Sequence, residues 1–184
     1  MLLNRKLLLY FKGCLRASPC LIVVGSALCY LLFQNNFGLY FTIFMLFIDV
    51  IAHLLKNFFK VYVYNGKETI AFLGKGPRPK GAKFSGCFID DSDLEGTSTS
   101  YGMPSGHAIT VITTCVMISW YIIQKYPDTL HRKISLIVIN LIGLCVLYSR
   151  LSFGCHSLNQ VIVGSLFGLL FGFCGIKLFK QLNI

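Results

Sequence analysis

Residues 101–125 read YGMPSGHAITVITTCVMISWYIIQK. The turn-forming run Pro104-Ser105-Gly106 is followed at once by His107, and no charged residue interrupts the apolar stretch from there to Ile123. About 20 apolar residues cross the hydrocarbon layer of a bilayer, so this stretch reads as a membrane helix with an imidazole at its mouth. Four more apolar segments stand out, at 19–33, 39–55, 134–151 and 158–179. In a chain of 184 residues that is 55% hydrophobic and only 13% charged, they point to an all-α, polytopic membrane bundle. It has five transmembrane helices, or six if residues 1–18 form a first span rather than an interfacial amphipathic helix. The length suits a single domain over 1–184.

The net charge of +10 comes from 17 Lys and Arg against 7 Asp and Glu, placed between the apolar runs. That placement favours membrane lipids and a phosphorylated substrate as partners, and excludes nucleic acid. The eight cysteines show no CxxC spacing and mostly lie inside apolar runs, so neither a disulfide framework nor a zinc site is indicated. No cleavable signal peptide is read at the start, because Arg5, Lys6, Lys12 and Arg16 interrupt the first segment.

Parity of crossing gathers the polar residues. The chain crosses after His107, turns through QKYPDTLHRK (124–133), and returns to end at SRLSFGCH (149–156). Arg150 and His156 therefore lie on the membrane face of His107. The long loop at 56–104, which carries KGPRP (75–79), ends on that face as well and delivers Lys75 and Arg78. Loops of this length are usually functional or disordered.

Two histidines beside guanidinium groups can divide the roles of nucleophile and general acid. Arg and Lys suit a tetrahedral oxyanion. Ser105 and Gly106 begin a helix, whose outward N–H groups and positive dipole end form an anion site. No cluster of carboxylates or cysteines accompanies these residues, so neither a metal nor another cofactor is expected.

KGPRP, PSGH and SRLSFGCH, in that order and with these spans between them, resemble the type 2 phosphatidic acid phosphatase superfamily of metal-independent membrane phosphatases. The resemblance covers roughly 50–170. It implies a lipid phosphatase whose active site lies at one membrane interface. His156 would attack phosphorus and form a phosphohistidine. His107 would protonate the leaving oxygen and later help activate water. Arg78 and Arg150 would hold the equatorial oxygens, with Ser105 and the Gly106 amide completing the cradle.

Two positions depart from the family pattern. A Lys seven residues before the first-motif Arg is replaced by Ala71. Lys75 is the nearer candidate, while Lys56 and Lys60 precede an apparent insertion, VYVYNGKETIAFLG (61–74). An Asp four residues after the nucleophile is replaced by Gln160, which can still orient His156 but supplies no negative charge. Gln160 together with YGMPS looks like the dolichyl-diphosphatase and glucose-6-phosphatase branches, which implies a polyprenyl diphosphate substrate. The alternative is a weakened pseudophosphatase that binds anionic lipid phosphates.

Other polar residues have plainer readings. Asp49 and His53 read as a mutually satisfied pair facing the bundle. His131 reads as solvated on the opposite side, DDSDLEG (90–96) as a solvated loop, and Trp120 and Tyr121 as interfacial anchors. Gly164, Gly168 and Gly172 form a small-residue ridge for close helix packing. The positive-inside rule puts the His107 face in the cytoplasm, whereas the family resemblance implies a lumenal or external face.

Overall fold

A computed structural model describes residues 10–79 and 101–182. Among them the helices are α1 (Tyr10–Arg16), α2 (Ser18–Phe33), α3 (Asn36–Phe58), α4 (Gly106–Lys125), α5 (Leu130–Ser152) and α6 (Leu158–Gln181). A π-helical turn, Phe59–Val63, prolongs α3. Strands β1 (Thr69–Ile70) and β2 (Gly74–Lys75) then form a small antiparallel hairpin that pairs Thr69 with Lys75. Four helices are long and apolar enough to span a membrane: Asn36–Val63, Gly106–Lys125, Leu130–Ser152 and Leu158–Gln181. The pair α1 and α2, bent by 80°, supplies a fifth at most among the described residues. The DDSDLEG reading falls outside the described residues.

The bend has a local cause. Pro19 stands in the first turn of α2, where its missing N–H costs nothing to α2 but cannot satisfy the carbonyl of Leu15. The helix therefore breaks there, and its last carbonyls are left to other donors. At the far end of α2, Gln34 adopts the left-handed conformation (φ 49°) and Asn35 caps α3 by accepting from the Phe37 N–H at 3.0 Å.

The second span is longer than hydropathy suggests. Lys56 and Lys60 end the apolar run at 55, yet the helix continues to Val63. Cations in a last turn face the negative end of the helix dipole and so do not break it. The 56–104 segment thus begins as helix and hairpin, and Lys56 is held on a rigid element.

The core lies between α3, α4 and α6. Phe41, Met45, Ile48, Ile109 and Met117 are almost completely buried there. Phe37 stacks on Tyr121 with ring centroids 4.1 Å apart, and Asn35 donates to the Tyr121 hydroxyl at 2.7 Å. Trp120 takes Lys180 over its ring at 5.5 Å. The glycine ridge of α6 lies against α4: a Cβ at Gly168 would stand 2.7 Å from Ile112 and 2.8 Å from the Ile109 carbonyl, and one at Gly172 would meet Val116 at 2.7 Å. The outward faces expose Ile137, Leu141, Leu144, Leu166, Leu170 and Phe173, an apolar surface suited to acyl chains rather than water.

Gly168→Val should force α4 and α6 apart and cost about 1–3 kcal/mol. A fall of several degrees in the thermal unfolding midpoint in detergent would report it. Gly25→Val, where no atom lies within 4 Å of the added Cβ, should leave the midpoint unchanged.

Candidate functional site

The short connection between α5 and α6 brings two of the expected residues together. After Ser152 the chain turns back so that the N–H groups of Cys155 and His156 both donate to the Arg150 carbonyl, at 3.0 and 3.1 Å. Gly154 makes the turn in the left-handed region, φ 64°, which glycine adopts without strain. His156 and Arg150 are buried, 3% and 0% exposed, at the head of α6 and the tail of α5.

Gln160, one turn into α6, sets the state of His156. Its Nε2 donates toward the carbonyls of Lys75, Gly76 and Pro77, at 2.9, 3.2 and 2.7 Å. Only the amide nitrogen can face such a cluster of acceptors, so Oε1 must point the other way. There it accepts from the Ser157 N–H at 3.2 Å and from His156 Nδ1 at 3.0 Å. The proton of a neutral His156 is therefore on Nδ1, and the lone pair is on Nε2. Among the described residues that Nε2 is buried without a partner.

Burial is the largest reason why the His156 pKa falls to about 3, followed by the charge of Arg78, with Lys56 and Arg150 adding smaller effects and the Gln160 hydrogen bond opposing them. The imidazole is neutral at physiological pH. Three cations thus lie within electrostatic reach of a neutral imidazole. Arg78 donates to the Cys155 carbonyl at 3.2 Å, and burial lowers its own pKa below the usual guanidinium value.

The other donors come from α4 and α5. Ser105 is the N-cap residue of α4 and Gly106 its first residue. The Ser105 N–H is taken by the Gln160 carbonyl at 3.0 Å, while its buried Oγ has no partner among the described residues. Arg150 donates through Nε and Nη2 to Ser149 Oγ and through Nη2 to the Leu15 carbonyl at 3.1 Å. Its Nη1 is buried without a partner among the described residues. A buried hydroxyl, guanidinium nitrogen and imidazole nitrogen left open in this way are costly unless a polar ligand completes them.

Lys75 does not bring its ammonium to this cluster. It is exposed in β2, and its contribution is the carbonyl facing Gln160. Lys56 instead approaches Gly106: its Nζ would lie 3.5 Å from a Cβ there, against the start of α4. The signal for Lys56 was its place at the end of an apolar run. The insertion at 61–74 hides it by breaking the motif spacing.

A second contribution comes from the α1–α2 bend. The Leu15 carbonyl, freed by Pro19, accepts from Arg150, and the next carbonyl, Arg16, lies 2.8 Å from His107 Nε2. A carbonyl only accepts, so His107 carries a proton on Nε2 and keeps Nδ1 for proton exchange. His107 lies within electrostatic reach of Arg150, His156 and Lys56. Arg16 and Arg150 share the ring of Phe153, their Cζ atoms 5.2 and 5.7 Å from its centroid.

Three tests follow from this geometry. Gln160→Glu sets a carboxylate against the hairpin carbonyls and should destabilise the fold by about 2 kcal/mol or more, read as a lowered unfolding midpoint with reduced turnover. His156 has a folded pKa of about 3 against an unfolded value near 6.5. The neutral folded form therefore loses stability as pH falls below about 6.5, a loss that levels off only near 3. His156→Asn should flatten the dependence of the unfolding midpoint on pH across that window. No acid limb of kcat/KM between about pH 5 and 7 should arise from His156 in the free protein.

The sequence model of the PAP2 superfamily matches residues 37–184. No match was found among curated proteins or among solved structures. The matched residues carry α3 through α6 and every cationic and imidazole group at the site except Arg16. With its membrane-spanning helices and this cradle of cations around two histidines, the chain belongs to the PAP2 superfamily, a family of phosphatases.

Proposed function

We propose that this protein is an integral membrane lipid phosphatase that hydrolyses a phosphomonoester or diphosphate of a lipid through a phosphohistidine, without a metal. The observation that carries this reading is the buried Nε2 of His156, without a partner among the described residues, held as the lone-pair nitrogen by Gln160 and within electrostatic reach of Arg78, Lys56 and Arg150.

In the first step, the Nε2 lone pair of His156 attacks phosphorus and an N–P bond forms. His107 enters this step protonated on both nitrogens, its charge balanced by the bound phosphate; the bond from phosphorus to the leaving oxygen breaks, and that oxygen takes the proton from His107 Nδ1. In the second step, water attacks the phosphohistidine, His107 takes the water's proton, and the N–P bond breaks to release inorganic phosphate. Arg78, Arg150 and Lys56 neutralise the equatorial oxygens, and Ser105 Oγ and the backbone at Gly106 complete the cradle. Gln160 offers no negative charge to the His156 imidazolium, so the cations and the bound phosphate carry the electrostatic work.

A cradle built from helix ends suits a membrane interface, where a lipid can present its phosphate while its tail remains in the bilayer. The resemblance of Gln160 and YGMPS to the dolichyl-diphosphatase branch favours a polyprenyl diphosphate over phosphatidate.

Phosphate release from both lipids in excess EDTA tests the proposal. The purified protein should be active, with the polyprenyl diphosphate preferred. His156→Ala should lose at least about a thousandfold in turnover, as expected when a covalent nucleophile is removed. Lys56→Ala should weaken kcat/KM about tenfold or more, whereas Lys75→Ala should leave it nearly unchanged. Binding of both lipids without turnover would overturn the hydrolytic reading in favour of an anionic-lipid binder.

A further inference from the structure

Asp49 and His53 do not form the satisfied, inward-facing pair that their spacing suggests. The face of α3 that packs into the core carries Phe41, Phe44, Met45, Ile48 and Ala52. Asp49 and His53 lie on the outward face among Leu46, Phe47, Val50 and Leu54, and their side chains are 59% and 70% exposed. His53 Nδ1 bonds to the Asp49 backbone carbonyl at 2.9 Å, not to its carboxylate, which lies 4.0 Å away. The carboxylate has no hydrogen bond among the described residues, although Lys56 lies within its electrostatic reach, and His53 Nε2 takes no part in the bond to the Asp49 carbonyl.

Depth makes this costly. Lys56 marks the level of the phosphate cradle, and Asp49 lies seven residues before it on the same helix. At about 1.5 Å per residue, Asp49 lies about 10 Å along the helix from Lys56, near the middle of the span Asn36–Val63. Ionisable groups at such depth face a partner or a water-filled cavity rather than lipid.

We infer that the Asp49–His53 dyad is an intramembrane contact between two copies of this chain. The dyad is self-complementary. His53 leans back to within 4.0 Å of the Asp49 carboxylate, so donor and acceptor share one depth. A two-fold axis along the membrane normal sets two α3 helices parallel, with Asp49 of each copy against the partner's His53. His53 Nδ1–H is already committed to a carbonyl. One proton shared between Nε2 and the partner's carboxyl therefore gives a hydrogen bond whichever group holds it. The exposed Leu46, Val50 and Leu54 flank that contact and pack the seam. The contact does not depend on the hydrolytic reading, because neither residue has a part in the proposed phosphate chemistry.

Energy transfer between donor- and acceptor-labelled copies in liposomes, at a large lipid excess, tests the pairing. The native chain should exceed the transfer of non-interacting labels. Asp49→Leu alone and His53→Leu alone should each fall to that background. Mixing donor-labelled Asp49→Leu with acceptor-labelled His53→Leu should restore transfer, because one Asp–His pair reforms between them. That restoration also shows that both variants are folded. Background transfer in the native chain would overturn the inference. So would full association of either single variant, or failure of the mixture to associate when circular dichroism shows both variants helical.

Discussion

The Gln160 carboxamide ties three parts of the chain to one another. Its nitrogen faces the hairpin carbonyls of Lys75, Gly76 and Pro77, its oxygen receives His156 and the first turn of α6, and its own backbone carbonyl holds the Ser105 N–H at the head of α4. A buried amide with all of these partners is worth more than any one bond, because removing it strands several polar groups at once. A carboxylate could orient His156 equally well, but it would be repelled by the surrounding carbonyls. Gln at position 160 and the close approach of the 75–77 segment are thus one structural fact. Gly102, whose added Cβ would stand 2.6 Å from the Gln160 nitrogen, leaves room for it.

The α1–α2 bend supplies the complementary constraint on the other histidine. Pro19 cannot donate to Leu15, the helix breaks, and two successive carbonyls turn to Arg150 and His107. Carbonyls that would have been spent inside one straight helix instead hold two groups of the cradle. The α1–α2 segment precedes the residues matched by the superfamily, so this support belongs to the chain's own N-terminal region. The two imidazoles end with different proton arrangements because their fixed partners differ: a side-chain oxygen at Nδ1 for His156, a backbone carbonyl at Nε2 for His107.

Much of the architecture was legible in the sequence. Apolar runs of spanning length place α3 to α6, and crossing parity alone puts His107, Arg150 and His156 on one face. The structure departs from that reading where hydropathy is a poor guide. The hydropathy reading ends the second span at residue 55, although a helix tolerates cations in its last turn, so it leaves open which of Lys56, Lys60 and Lys75 serves the site. It treats Lys75 as a side chain when the hairpin uses its carbonyl. It says nothing of the bend, whose sign was a single proline. The orientation of Asp49 was there to be read: Phe44, Met45, Ile48 and Ala52 define the buried face of α3, and a residue next to Ile48 turns about 100° away from it.

The central claim is that His156 Nε2 is a lone-pair nucleophile held ready by Gln160. Rapid denaturing quench of turnover with a lipid labelled in its phosphate tests this most directly. The account predicts a covalently labelled protein, labile to acid and stable to base, with the label mapped to His156. Hydrolysis that proceeds at full rate with no label on His156, under conditions that would trap a phosphohistidine, would contradict it.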